Sequence, residues 1–144
     1  AITLKAKVED LFHLDLAYAP PFSTTKDPVM YTGMILDNAI NRGRRLITAD
    51  GLDRLMESGQ KYKLIDARVP VQYEKAHVKT AENIPHAKLR EALKDIDSNS
   101  VAVTYCNKGV TGNAAQNILL NHGFKEVYNL SGGHKQFSKT HNPL

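Results

Sequence analysis

The chain has 144 residues, 42% hydrophobic and 24% charged, the balance of an ordinary soluble globular protein. Its 19 Lys and Arg against 15 Asp and Glu leave a net charge of +4; apart from Arg42-Gly43-Arg44-Arg45 these charges are scattered and lack the interleaved aromatics of a nucleic-acid groove. No apolar run approaches the ~18 residues of a membrane span, and the single cysteine, Cys106, cannot form an intrachain disulfide, which points to a reducing, cytoplasmic setting.

Residues 1–45 do not read as a domain. Val8, Leu11, Phe12 and Leu14 predict one amphipathic helix. The stretch Ala17-Tyr18-Ala19-Pro20-Pro21-Phe22, running on to Pro28, interrupts regular structure with three prolines. A helical pattern returns over 29–42 with Met30, Met34, Leu36 and Ile40. Such a tail carries apolar surface but too few residues for its own core, so it must lean on something else. The chain opens on Ala1, as a fragment or a processed protein would.

Residues 46–144 alternate strand and helix signals. Ile47-Thr48 reads as a short strand, and Thr48 and Asp50 offer capping oxygens to a helix carrying Leu52, Leu55 and Met56, closed by Gly59. Lys63–Ala67 is a second strand. Leu89, Leu93 and Ile96 share a helical face over 88–96. Val101–Tyr105 is a strand of buried type, and Ala115, Ile118 and Leu119 mark a helix over 112–122 ending at Gly123. Glu126–Leu130 is a further strand. Strands separated by helices of this length predict an α/β domain with a mainly parallel sheet and helices on both faces.

Cys106 follows a strand directly, and a helix is predicted to begin about five residues later. In an open α/β sheet, ligands gather outside the carboxyl ends of the strands. Residues 107–111 can curl so that their N–H groups face inward as an anion-binding nest, with Gly109 allowing the backbone geometry. Lys108 adds a mobile cation. A negatively charged sulfur is favoured in such a field. The plainer alternative is a buried cysteine at a strand end.

Four motifs in order over about 46–140 resemble the rhodanese family of sulfurtransferases. These are Leu64-Ile65-Asp66-Ala67-Arg68; Tyr73–Val78 followed by Ala81-Glu82-Asn83-Ile84-Pro85; Tyr105-Cys106-Asn107-Lys108-Gly109-Val110-Thr111; and Asn129-Leu130-Ser131-Gly132-Gly133. The resemblance implies an open five-stranded sheet and a two-step sulfur transfer without metal or organic cofactor. Cys106 would take the outer sulfur of thiosulfate or a polysulfide and pass it to a thiol acceptor. Asn107, Lys108, Gly109, Val110 and Thr111 would bind the small anionic donor. Arg68 would join them or, paired with Asp66, order the loop. Lys108-Gly109-Val110-Thr111 looks like thiosulfate-using members, whereas Asn107 stands where Arg is frequent. Ala76 and Thr80 stand where the family often has Gly, and Phe137 where Trp is common.

The run Asp15–Ser23, with Lys26-Asp27-Pro28, resembles the end of the dimerisation domain in flavin-dependent pyridine nucleotide–disulfide oxidoreductases, the coenzyme A-disulfide reductase branch. Some members of that branch carry a C-terminal rhodanese domain. The resemblance implies residues 1–45 as the tail of that domain, residues 46–144 as the rhodanese-like domain, and missing reductase domains that would bring FAD, NAD(P)H and coenzyme A. The intact protein would be a homodimer, with Tyr18 packing at its interface or, as in that branch, approaching the partner subunit's active site. No G-x-G-x-x-G occurs in this chain.

Other chemistries fit less well. Six histidines lie at no metal-ligand spacing, with His77 read as structural and His134 as a surface-turn residue. A cysteine phosphatase or arsenate reductase needs an Arg closing a loop one residue longer than this one, and no Arg stands there. A non-catalytic rhodanese-like binding module is the alternative from a different class.

Overall fold

In the computed structural model, which describes residues 3, 5–14 and 27–141, five short strands form one parallel sheet. The strands are β1 (Arg45–Ile47), β2 (Tyr62–Asp66), β3 (Glu82–Asn83), β4 (Val101–Tyr105) and β5 (Val127–Leu130), in the spatial order β1-β5-β4-β2-β3. All pairings are parallel, and Asp66 lies opposite Tyr105 across β2 and β4.

Helices cover both faces because β4, at the centre, buries every residue. On one face Ile65 and Ala102 pack with Leu89 of α5 (Leu89–Ala92) and with Ala115, Ile118 and Leu119 of α6 (Val110–Asn121). On the other, Leu64, Val103 and Tyr105 pack with Leu52 of α3 (Ala49–Glu57), Tyr73 of α4 (Pro70–Lys75) and Phe137 of α7 (Gly133–His141). The helix after β2 therefore covers one face and the helix after β4 the other. The crevice between those strands is the switch point of the sheet, where a parallel α/β fold places its ligands.

The predicted elements recur with shifted ends. Thr48 caps α3, its Oγ1 accepting from the Gly51 N–H at 3.1 Å. The helix predicted over 88–96 is a single turn, α5, flanked by 3₁₀ turns at 86–88 and 93–95. α6 begins at Val110, two residues earlier than expected, because Gly109 (φ 110°) makes the entry turn. Three elements had no sequence reading of their own: α4, begun by Pro70 in its first turn; β3; and α7.

Residues 1–43 and 44–144 are two compact units. In the first, α1 (Val8–Phe12) and α2 (Pro28–Asn41) are linked by Asn41 Nδ2 donating to Glu9 Oε1 at 3.2 Å. Asp27 caps α2, accepting from the Val29 N–H at 2.9 Å, with Pro28 next in line. Tyr18 and the Ala19-Pro20-Pro21-Phe22 stretch lie outside the described residues. No helix among the described residues is long and apolar enough to cross a membrane.

Candidate active site

Cys106 leaves the end of β4 and is held from behind by α7. The His134 N–H donates to the Cys106 carbonyl at 2.8 Å, and the Lys135 N–H to the Asn107 carbonyl at 3.1 Å. Because a trans peptide sets its N–H opposite its C=O, the N–H groups of Asn107 and Lys108 point away from α7. The Gly109 N–H donates to the Cys106 Sγ at 3.2 Å. Just beyond, the first N–H groups of α6 have no intrahelical acceptor, leaving a partly positive helix end beside the sulfur. The thiol is 6% exposed.

The sulfur lines an open cavity of about 430 Å³. The loop contributes Cys106, Asn107, Lys108, Val110 and Thr111, and the segment after β2 contributes Ala67, Arg68, Val69 and Gln72. Six of the seven residues singled out in the sequence thus line one cavity. Gly109, the seventh, reaches the sulfur through its N–H. Val69 and Gln72 went unread, although Val69-Pro70 is a recognisable helix entry that would have placed them at the rim.

Arg68 lines the cavity, but four of its five N–H donors are already taken. Nε donates to both Asp66 oxygens at 2.9 and 3.0 Å, and Nη2 to Asp66 Oδ2 at 2.6 Å and the Ala76 carbonyl at 2.7 Å. Nη1 donates to Asn107 Oδ1 at 3.2 Å. Burial pushes the guanidinium down, and the hydrogen bonds and charge of Asp66 more than offset that, so it is held above its usual value. The Asn107 amide is used at both ends, its Nδ2 donating to Gln72 Oε1 at 3.1 Å. Asp66, Arg68, Asn107 and Gln72 thus form a chain that fastens the cysteine loop to α4. Among the described lining residues, Lys108 is a cation with no ion-pair partner.

Beneath the loop lies Tyr105, fully buried, its hydroxyl accepting from the Val78 N–H at 3.2 Å. The Arg68 guanidinium carbon stands 5.6 Å from its ring centroid. Burial pushes the phenol well above its usual value, so it stays neutral. His134 is not the surface-turn residue expected. It sits in the first turn of α7, half-buried, with its ring stacked 6.3 Å from that of Tyr105. Burial, then the Arg68 charge, holds its imidazole below the usual value.

A parallel α/β domain with a cysteine loop at its switch point belongs to the class of folds that present a loop to ligands at the carboxyl ends of the strands. The rhodanese-like domain model matches residues 48–140, and the chain belongs to that family. It is similar to the reduced CoADR-RHD of Bacillus anthracis: 32% identity, TM-score 0.85, covering 95% of this chain and 24% of that one. It is also similar to a NAD-dependent persulfide reductase from A. fulgidus: 29% identity, TM-score 0.76, covering 94% and 23%. A thiosulfate sulfurtransferase, GlpE, of Coxiella burnetii (strain RSA 331 / Henzerling II) is 34% identical over 80 residues, 56% of this chain and 74% of the relative. The chain spans less than two-thirds of the length of the first curated relatives it matches.

Proposed function

We propose that this chain is a sulfurtransferase that carries sulfur as a persulfide on Cys106. The observation that carries the reading is the Gly109 N–H donating to the Cys106 Sγ inside a cavity at the sheet's switch point. A sulfur placed there is held as an anion by backbone dipoles, without a metal or a general base.

The Cys106 thiolate attacks the outer sulfur of the donor, forming an S–S bond and breaking the donor's own. Thiosulfate leaves as sulfite and a polysulfide leaves one sulfur shorter, with the persulfide carrying the negative charge in either case. An acceptor thiolate then attacks the outer persulfide sulfur and restores the Cys106 thiolate. Val69 and Val110 stand exposed beside the sulfur, and one unpaired cation, Lys108, faces the donor. The sulfur chain of a polysulfide can lie against the two valines, whereas the sulfonate end of thiosulfate meets them with Lys108 as its one cation, so a polysulfide fits better than thiosulfate.

The likeness across nearly the whole chain to a reductase–rhodanese chain and to a persulfide reductase supports a place as the C-terminal module of a FAD-dependent NAD(P)H disulfide or polysulfide reductase. FAD, NAD(P)H and coenzyme A would then be held by the reductase part. Ile35, Leu36 and Ile40 stand exposed on α2 and would pack against it.

The test is the intact mass of the chain after incubation with polysulfide and, separately, with thiosulfate. A gain of one sulfur that cyanide removes, absent in Cys106→Ala and larger with polysulfide, supports the reading. No adduct on a chain whose Cys106 still alkylates would overturn it.

A further inference from the structure

Asn129, in β5, lies outside the cavity lining and is 4% exposed. Its Nδ2 donates to the Gly109 carbonyl at 3.0 Å, and the same carbonyl accepts from the Asn113 N–H at 2.8 Å. The other side of that one residue, the Gly109 N–H, is the donor on the Cys106 sulfur. Glycine at φ 110° has no side chain to hold it, so its two peptide planes are set by what bonds to them.

The rest of the Asn129 amide speaks against a purely structural role. Its Oδ1 is buried without a hydrogen-bond partner, pressed towards Gly112 so closely that a Cβ there would collide with it. An orphaned buried carbonyl weakens a fold, and an apolar residue of the same shape would avoid that penalty. What an apolar residue cannot do is donate to Gly109.

We propose that Asn129 is a positioning residue for the cysteine loop: its amide holds the peptide that follows Gly109, and with it the position of the Gly109 Cα, keeping the Gly109 N–H within reach of the Cys106 sulfur. It acts from β5 without touching donor or acceptor. The proposal rests on the reading of Cys106 as the reactive group.

The experiment compares the full chain with Asn129→Leu by thermal unfolding and by the rate of iodoacetamide alkylation of Cys106 against pH. Leucine keeps the branched shape while removing both the donor and the orphaned acceptor. Thermal stability is expected to hold or rise, while alkylation of Cys106 at pH near 6 slows by about tenfold. Should leucine be too large beside Gly112 to fold, Asn129→Ala reads the same two quantities. A folded variant whose alkylation curve superimposes on that of the parent chain overturns the proposal, whatever its thermal stability. Alkylation needs no sulfur donor, so a failed sulfur adduct and a failed loop clamp register separately.

Discussion

A Cβ placed on Gly133 would collide with the carbonyl oxygen of Cys106 and lie 2.8 Å from the carbonyl carbon of Asn107. The helix that captures the loop's carbonyls can approach only because residue 133 has no side chain and accepts a φ of +59°. Gly133→Ala is expected to cost about 2–4 kcal/mol, from left-handed strain and the collision together. Urea unfolding of the variant measures that cost. A loss below about 0.5 kcal/mol would mean that α7 can retreat freely.

Asp66 is fully buried and Arg68 nearly so. Removing one partner strands a buried charge, so Arg68→Met is expected to destabilise the domain by about 3–5 kcal/mol. It also frees Asn107 and Ala76 from their shared donor. Chemical denaturation of the variant, compared with Asp66→Leu/Arg68→Met, separates the two effects: the double variant should recover much of the loss.

Lys108 has no ion-pair partner among the described residues and lines the cavity. Lys108→Ala should lower kcat/KM for thiosulfate about tenfold, in line with loss of one charge-assisted contact of ~1.4 kcal/mol, and lower it less for a neutral trisulfide. Steady-state sulfur transfer to cyanide compares the two donors. Equal losses would place Lys108 outside the donor's reach.

Thr80 holds a left-handed backbone, φ +73°, at a position where the resemblance leads one to expect glycine. Its hydroxyl lies 2.9 Å from the Tyr62 hydroxyl, one bond set against the strain of a β-branched residue there. In a Tyr62→Phe background, where that bond is gone, Thr80→Gly should stabilise by about 1 kcal/mol. In the parent chain the gain should be smaller. Urea midpoints of the four chains complete the cycle.

His134 is held below its ordinary value first by burial and then by the Arg68 charge, with Asp66 opposing and His77 adding to the effect. The unfolded chain takes up a proton near pH 6.5, and the native one only at lower pH. Protonation therefore favours unfolding: the contribution is complete above pH 6.5 and is lost as pH falls below it. His141 works in the other direction, raised first by the Phe137 carbonyl and then by Asp53, but it is solvent-exposed and weaker. Between pH about 7.5 and 5.5, His134→Gln should lose less stability than the parent chain in urea unfolding. Equal losses would assign the acid sensitivity elsewhere.

The strands that the sequence makes plain are those buried on both faces, such as Val101–Tyr105, where every side chain must be apolar or bonded. β3 is two polar residues, Glu82 and Asn83, at the sheet edge, and no periodicity can mark a strand that short. α7 begins on Gly132-Gly133, which reads locally as a turn, and its role emerges only from contacts with residues 106 and 107. The cysteine and its loop are legible because a strand, a glycine and a helix follow one another in 101–121. The hydrogen bond between Arg68 and Asn107 spans 39 positions and that between Asn129 and Gly109 spans 20. Neither separation leaves a local signature.

The capture of the Cys106 and Asn107 carbonyls by His134 and Lys135 also sets an order of assembly. Because the chain is made from its amino end, the loop at 106–107 cannot be fastened until residues 133–135 have also been made. Nor can β1 take its place in the sheet until β5, the strand it pairs with, has been made. A nascent chain therefore carries the thiol on an unfinished sheet, with its loop unfastened. Fastening of the loop thus waits on α7 rather than on β4, the strand that the cysteine follows.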